Sequence, residues 1–277
     1  MSALAQKWMN MDRRIIFVLM GLCVALPLII GPFRLPVEIT ESVRGVYDKV
    51  ESLPGGSIIL VSMDFDPASK PELYPMTLSI VRHAFQRGIR VVGMNLWFSG
   101  IGMSEELMAQ AADEYNKEYG TDYAFLGWMP GDISVIVGMG QDLFRTFPRD
   151  YYKNDAASLP VFRGVQTLRD IDYMVDLAAG SPGIEEWIVY GTEKYKFEMG
   201  AGCTAVTAPG MYIYLQSGQI NGLIGGMRGA AEYEALLGKP DTATIGMDVQ
   251  SVAHFLIIGL VLVSNVFFLM TRKERGN

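Results

Sequence analysis

The chain has 277 residues; half are hydrophobic, 19% are charged, and the formal net charge is −7. An acidic chain of this kind lacks the cationic surface that nucleic acids require, so nucleic acid is excluded as a partner. The two cysteines, Cys23 and Cys203, are too few for a disulfide framework, so the fold depends on its hydrophobic core.

Two long apolar segments lie near the two ends of the chain. Residues 15–33 follow Asp12-Arg13-Arg14, and residues 252–270 contain no Asp, Glu, Lys or Arg. A helix rises about 1.5 Å per residue, so each segment crosses nearly all of the ~30 Å hydrocarbon layer. The sequence therefore predicts two membrane-spanning helices, with the lipid bilayer as a partner. A cleaved signal peptide is the alternative for residues 15–33, but no small-x-small cleavage pattern ends that segment.

The distribution of charge predicts the orientation of these spans. The tails 1–14 and 271–277 each carry +2, so the region between them carries −11. Basic residues on short tails are retained in the cytoplasm. We therefore expect a two-pass protein of the plasma or inner membrane, with both tails cytoplasmic. Its extracytoplasmic domain is predicted at 57–240, between a connector at 34–56 and a linker at 241–251.

The first half of the domain alternates between strand and helix patterns. Apolar runs at 57–63, 89–94 and 123–126 have the length and composition of strands buried on both faces. Amphipathic segments at 71–87 and 104–119 separate them, and a glycine follows each segment. Short connections of this kind predict a mostly parallel sheet with right-handed crossovers, in a three-layer Rossmann- or flavodoxin-like α/β fold.

The second half of the domain has a less regular pattern. Residues 133–137 fit either a strand or the start of a helix, because a short apolar run is compatible with both. The further predicted elements are a helix at 168–179, strands at 187–190 and 203–206, and short helices at 210–216 and 229–237.

Polar and aromatic residues follow several of the predicted strands. In open parallel sheets, ligands bind outside the carboxyl ends of the strands. We therefore expect a ligand-binding crevice formed by Asp64, Asp66, Asn95, Trp97, Trp128, Thr192 and Glu193. Asp64 and Asp66 have the chemistry of Mg²⁺ or Ca²⁺ ligands, but capping of the next helix and turn is the favoured alternative. No Gly-x-Gly-x-x-Gly or phosphate-loop motif follows the first strand, so no cofactor and no metal are predicted.

Candidates for a catalytic nucleophile are few. Cys203 would need a histidine, and His83 is the only one within the predicted domain. Ser99 would need a lysine as its base, and the candidates are Lys153, Lys194 and Lys196.

Two parts of the sequence resemble known families. Segment 201–206, followed by Ser217-Gly-Gln-Ile-Asn-Gly-Leu-Ile-Gly-Gly226 and an Ala/Glu-rich helix, resembles the end of membrane-anchored Clp-fold peptidases of the signal-peptide-peptidase type. That resemblance implies a hydrolase, although the serine-bearing segment of the family has no counterpart here. The order of strand, Asp64-Phe-Asp66, helix and Gly88-Ile-Arg-Val-Val-Gly93 is similar to extracytoplasmic CHASE-type sensor domains, which implies ligand sensing.

The second apolar segment contains two polar residues, Ser264 and Asn265. Polar side chains in lipid seek partners on other helices, so these two predict association between spans. Without a complete catalytic set, the sequence favours a non-enzymatic scaffold or assembly subunit, as a homo-oligomer or with other membrane proteins. An extracytoplasmic ligand-binding or sensor module is the first alternative, and a degenerate Clp-fold-like hydrolase is the second.

Overall fold

The computed structural model describes residues 12–31, 33 and 36–275, with side chains up to residue 269. Val37–Ala243 forms one compact unit, and the terminal segments, up to Pro36 and from Thr244, form another. Most of the predicted N-terminal tail, residues 1–11, and the last two residues of the predicted C-terminal tail lie outside the described residues.

Strands and helices alternate through the larger unit. The strands are β1 (Ile58–Asp64), β2 (Arg90–Asn95), β3 (Tyr123–Trp128), β4 (Tyr173–Ala178), β5 (Met199–Cys203) and β6 (Leu223–Gly225). The helices of the described residues are α1 (Arg13–Ile30), α2 (Glu41–Ser52), α3 (Lys70–Gln86), α4 (Ile101–Tyr115), α5 (Ile133–Gln141), α6 (Leu143–Thr146), α7 (184–195, with a π-helical piece at Trp187–Thr192), α8 (Ala208–Gln216), α9 (Gly226–Leu236) and α10 (Thr242–Arg275).

The six strands found in the described part of the chain form one parallel sheet in the order β3-β2-β1-β4-β5-β6. Helices α2, α3, α4 and α9 pack together on one face. The main apolar core lies on the other face, against α5, α7 and α8. The predicted three-layer α/β fold with a parallel sheet is confirmed. The strand order reverses between β1 and β4, which is the point where doubly wound folds place their ligands.

One predicted element of the second half has the wrong type. The helix predicted at 168–179 is a 3₁₀ turn, Leu168–Asp170, followed by strand β4. Every residue of β4 is buried. Central strands and buried helices both consist mostly of apolar residues. The periodicity of such a segment therefore does not tell a strand from a helix. The segment 133–137, which fitted either type, is the start of α5.

Two predicted strands also differ from the structure. The strand predicted at 187–190 is helical, within α7; Trp187 and Ile188 are buried whereas the next two residues are exposed. Strand β5 ends at Cys203, where the strand at 203–206 was expected to begin. The interior of β5 contains Gly200. A larger residue would not fit there, because its Cβ would lie 2.2 Å from the Tyr173 hydroxyl oxygen. Glycine normally weakens a strand, so the sequence pattern placed the strand after the glycines.

Both ends of the larger unit are hydrogen-bonded to helix α9. At the N-terminal end, the Thr40 amide and hydroxyl donate to the Glu232 carboxylate, at 2.8 and 2.6 Å. At the C-terminal end, the Asp241 and Ala243 amides donate to the two carboxylate oxygens of Glu234, at 2.8 and 2.9 Å. Helix α9 therefore anchors the beginning and the end of the domain.

Two described helices are long and apolar enough to cross a membrane. Their mean hydropathy is 2.2 over Arg13–Ile30 and 2.4 over the most apolar 18-residue stretch of Thr242–Leu269. They expose apolar side chains, and Ile29 and Phe255 are 80% and 72% exposed. The positions agree with the predicted spans, 15–33 and 252–270. Helix α10 begins at Thr242, so residues 242–251, which were predicted as most of a linker, are helical.

Candidate functional site

The centre of the sheet places Asp64 at the carboxyl end of β1, where the sequence predicts a ligand. The side chain is buried. Its carboxylate accepts a hydrogen bond from the Leu96 amide at 2.5 Å and another from the Ser62 hydroxyl at 2.6 Å. The bond from Leu96 joins β1 to the segment after β2, so Asp64 holds neighbouring strand ends together.

A second buried carboxyl group, Asp176, lies beside this residue. Strand register pairs Asp176 of β4 with Ser62 of β1. Burial raises the pKa of Asp64 to about 6, and burial together with the Asp64 charge raises the pKa of Asp176 well above its usual range. Neither oxygen of Asp176 has a hydrogen-bond partner among the described residues. Burial and the neighbouring charge both favour the protonated form of Asp176.

This carboxyl pair does not form an open metal site. Both side chains are fully buried, and the described residues contain no group of three or more His, Cys, Asp or Glu side chains placed to hold a metal ion. The nearby Asp66 carboxylate accepts hydrogen bonds from the amide and hydroxyl of Ser69, both at 3.1 Å, just before α3. That is the geometry of a turn and helix start.

The residues after β2 and β3 are held in place by hydrogen bonds of their own. The Asn95 amide group donates to the Met63 carbonyl and, at 2.9 Å, to the Ser104 hydroxyl. The Trp97 indole donates to the Pro182 carbonyl at 2.7 Å, and the Trp128 indole donates to the Leu96 carbonyl at 3.0 Å. Trp97 and Trp128 stay partly exposed, so the predicted crevice is open on their side of the sheet.

The structure does not bring Thr192 and Glu193 to this edge. Both were expected to follow a strand, but the preceding residues are helical, and both belong to α7. They line a recess together with Met199, the first residue of β5, at the opposite end of that strand. The prediction that Thr192 and Glu193 contribute to the strand-end crevice is therefore wrong.

A larger recess opens at the carboxyl ends of β2 and β3. Its volume is about 530 Å³, within the range of about 300–1,000 Å³ that is typical of small-molecule sites. We call it the β3 groove; its apolar walls include Phe98, Ile101, Trp128, Phe147 and Tyr151. The rings of Phe98 and Trp128 meet edge to face, with centroids 5.1 Å apart.

Two cationic side chains, Arg149 and Lys153, also line the β3 groove. They come from the loop after α6, which the sequence analysis treated only as a possible source of a catalytic lysine. The buried Asp150 lies between them in the chain and accepts hydrogen bonds from the Tyr119 hydroxyl at 2.7 Å and the Asn154 amide at 2.8 Å. The sequence signal was a loop with Tyr151 and Tyr152 flanked by cations, since binding residues concentrate on loops.

A smaller recess, of about 180 Å³, lies after β4 and β5. Its lining includes Glu185 and Glu186 at the beginning of α7, and Glu186 already accepts hydrogen bonds from Ser181 and Gly183. It is smaller and more acidic than the β3 groove, so the groove is the stronger candidate for a binding site.

The catalytic pairs raised by the sequence are not assembled. Cys203 faces the core beside α8, whereas His83 of α3 stacks on Tyr47, with ring centroids 4.4 Å apart, on the other side of the sheet. Burial raises the pKa of Cys203 to about 12, so the thiol stays protonated and unreactive. No hydrogen bond among the described residues joins Ser99 to any of its three candidate lysines, Lys153, Lys194 and Lys196.

The fold and groove define a doubly wound α/β domain with an open site at one side of its carboxyl edge. No protein-family model and no curated protein matches the chain. The chain is similar to a solved structure described as the crystal structure of AibC, with 13% identity over 88% of this chain and a TM-score of 0.27. The match spans 55% of that chain, about half its length. A TM-score this low supports no argument about fold or function.

Proposed function

We propose that the protein is a membrane-anchored binding protein that holds a small molecule in the β3 groove of an extracytoplasmic domain. The observation that carries this proposal is the groove itself: an aromatic recess of about 530 Å³ where parallel strands end. Concave, mainly apolar sites with a few polar groups are typical of small-molecule binding. This function corresponds to the ligand-binding alternative of the sequence analysis.

The membrane location rests on the two apolar helices and on charge. Short basic tails flank both candidate spans, and the region between them carries −11. A tag at either terminus should therefore be inaccessible to antibody on intact cells, while protease added outside should cleave within Val37–Ala243. Terminal tags that are accessible from outside would overturn this orientation.

The binding function is tested with a neutral aromatic probe, 2-naphthol, and the full chain in lipid nanodiscs. Titration calorimetry against empty nanodiscs separates binding from partition into lipid. Tyr151→Ser removes an exposed ring from the β3 groove, whereas Tyr212→Ser removes an equally exposed ring from α8; their exposed fractions are 38% and 43%. We expect at least fivefold weaker binding for Tyr151→Ser and no change for Tyr212→Ser. Equal affinity in both variants would overturn the proposal.

A second candidate function is the assembly subunit that the sequence favoured. Helices α7 and α8 both line the smaller recess, and the side-chain amide of Gln219, just after α8, donates to the Glu193 carboxylate at 2.7 Å. They expose apolar side chains to solvent, among them Val189 at 52% and Ile213 at 65%. Exposed apolar side chains on neighbouring helices are typical of an interaction surface, and the exposed Ser264 and Asn265 on α10 favour association between spans.

Chemical cross-linking in mild detergent tests this second function. A chain that assembles through α7 and α8 should lose its cross-linked species in a Val189→Ser/Ile213→Ser variant, because the surface loses apolar area. Exposed apolar residues elsewhere supply the control, and Phe98→Ser should leave cross-linking unchanged. A wild-type chain that stays monomeric would remove the assembly function without affecting the binding function.

A further inference from the structure

The β3 groove contains two cationic side chains that no carboxylate neutralises. Arg149 and Lys153 are exposed, and no ion pair among the described residues includes either of them. The Arg149 guanidinium donates one hydrogen bond, to the Lys153 carbonyl at 2.8 Å. By contrast, the buried Arg82 is paired with both Glu114 and Asp241 at 2.6 Å. The groove therefore presents positive charge to whatever occupies it.

The acidic residue between these cations is not available to pair with them. The Asp150 carboxylate accepts from the Tyr119 hydroxyl at 2.7 Å, from the Asn154 amide at 2.8 Å and from the Asn154 side chain at 2.9 Å. Because it is buried and fully hydrogen-bonded, it fixes the loop instead. The Tyr151 amide adds a bond to the Phe125 carbonyl at 2.9 Å. The loop that carries both cations is thus held in position before any ligand arrives.

The groove also has aromatic side chains, which come from the segment after β2, from β3 and from the loop itself. The Phe98–Trp128 pair and the Phe125–Tyr151 pair have centroid separations of 5.1 and 5.3 Å. Gly127, at φ +76°, lies under the Tyr151 ring, where a Cβ would be 3.3 Å from the ring carbon Cδ2. Flat rings beside a close backbone favour a flat apolar ligand body.

Resting on the proposed binding function, we infer that the β3 groove takes a small anion with a flat apolar body, of the aryl carboxylate class. The carboxylate pairs with Arg149 and Lys153, since a guanidinium and an ammonium both donate charge-assisted hydrogen bonds to it. The ring packs against Trp128 and Tyr151. A polyanion is disfavoured, because the region between the tails carries −11 and repels a high negative charge.

Three probes of one shape test the charge preference: 2-naphthoate, 2-naphthol and 2-naphthylmethylamine, an anion, a neutral molecule and a cation. The full chain in nanodiscs should bind naphthoate at least tenfold more tightly than the amine, with naphthol between them. The variant Arg149→Gln/Lys153→Gln should bind naphthoate at least tenfold more weakly and naphthol within twofold of wild type. Arg163→Gln/Arg169→Gln changes the net charge equally at exposed sites outside the groove and should bind all three probes like wild type.

The outcomes separate the two levels of the proposal. If naphthol binds in a Tyr151-dependent way but naphthoate binds no better than the amine, the anion inference is wrong and the binding function stands. If no probe binds, both fail. Should the groove variant fold poorly, wild-type titrations decide: raising NaCl from 50 to 500 mM should weaken naphthoate several-fold and leave naphthol unchanged. Equal salt responses for the two probes would contradict the inference.

Discussion

Two regions at the carboxyl edge of the sheet have charged groups of opposite sign and opposite exposure. At the centre, between β1 and β4, Asp64 and Asp176 are carboxyl groups without a cation, and both are fully buried. At the β3 side, Arg149 and Lys153 are cations without an ion-pair partner among the described residues, and both are exposed. The centre is closed to solvent, whereas the groove is open to it.

The comparison shows that position at a strand end does not by itself make a residue available. Asp64 occupies the place where doubly wound folds bind ligands, yet its oxygens accept hydrogen bonds from Leu96 and Ser62. The β3 groove is an open recess with apolar walls, and its loop carries the cations Arg149 and Lys153. Of these two regions, the groove is the one that combines access with unpaired charge.

The largest expected effect comes from removing the central acceptor. Asp64→Ala leaves the buried Leu96 amide and Ser62 hydroxyl without a partner, and we expect the free energy of unfolding to fall by about 2–4 kcal/mol. Chemical denaturation of the full chain measures the loss. Naphthoate affinity of the folded variant should stay within twofold of wild type. A large loss of affinity without a loss of stability would mean that the centre belongs to the binding site.

The next largest effect is a pH-dependent gain in stability from replacing Asp176. Folding raises the pKa of both carboxyl groups, Asp64 from 3.8 to about 6 and Asp176 further. The folded chain then binds more protons than the unfolded chain, so this pair destabilises the fold as the pH rises above about 4. Asp176→Asn removes the ionisable group, and it should stabilise the protein by about 1–3 kcal/mol at pH 8.

The pH dependence of the melting temperature checks this sign. The difference between Asp176→Asn and wild type should be small at pH 4 and grow towards pH 8. Glu185→Gln, an exposed acid outside the pair, supplies the control and should show no such growth. A difference that is constant with pH, or that shrinks as the pH rises, would show that Asp176 is charged in the folded protein.

A smaller effect is expected from loosening the loop of the groove. Tyr119→Phe removes the hydroxyl that donates to Asp150 at 2.7 Å, and we expect a loss of about 1–2 kcal/mol of stability. Naphthoate binding should weaken by about threefold to tenfold, since the loop must then be ordered on binding. Tyr74→Phe removes an exposed hydroxyl bond to Gln110 and serves as the matched control. Unchanged binding in Tyr119→Phe would show that the loop needs no anchor.

The smallest effect is expected at Glu193, which was predicted to line the crevice but lies in α7 instead. Glu193 is exposed on α7, so Glu193→Ala should change stability by less than about 0.5 kcal/mol. Naphthoate affinity should equal that of wild type, as calorimetry would show. A clear loss of affinity would restore Glu193 to the ligand site and weaken the contrast between the two regions.

The first half of the fold was predictable because local pattern and tertiary role agree there. Strand β1 is a continuous apolar run, and α3 has one apolar stripe and a glycine stop at Gly88. The second half was not, because tertiary context decides its elements. Strand β4 is buried on both faces like a core helix, and β5 contains Gly200 to make room for Tyr173.

The candidate site shows the same division. The carboxyl-edge rule identified Trp128, which does line the β3 groove. It could not distinguish Trp128 from Asp64, because burial at a strand end depends on segments far away in the sequence. Arg149 was missed altogether, since its place in the same groove as Phe98 is set by the fold of the loop after α6 and not by any local spacing.

The anchoring of both domain ends on α9 has a mechanical consequence. Thr40 is hydrogen-bonded to Glu232 of this helix, and Ala243 is hydrogen-bonded to Glu234. A force that pulls the two ends of the domain apart therefore acts on one short helix. Tension would travel through α9 and bypass the parallel strands. If α1 and α10 cross a bilayer, tension between them would thus reach α9 before it reaches the centre of the sheet.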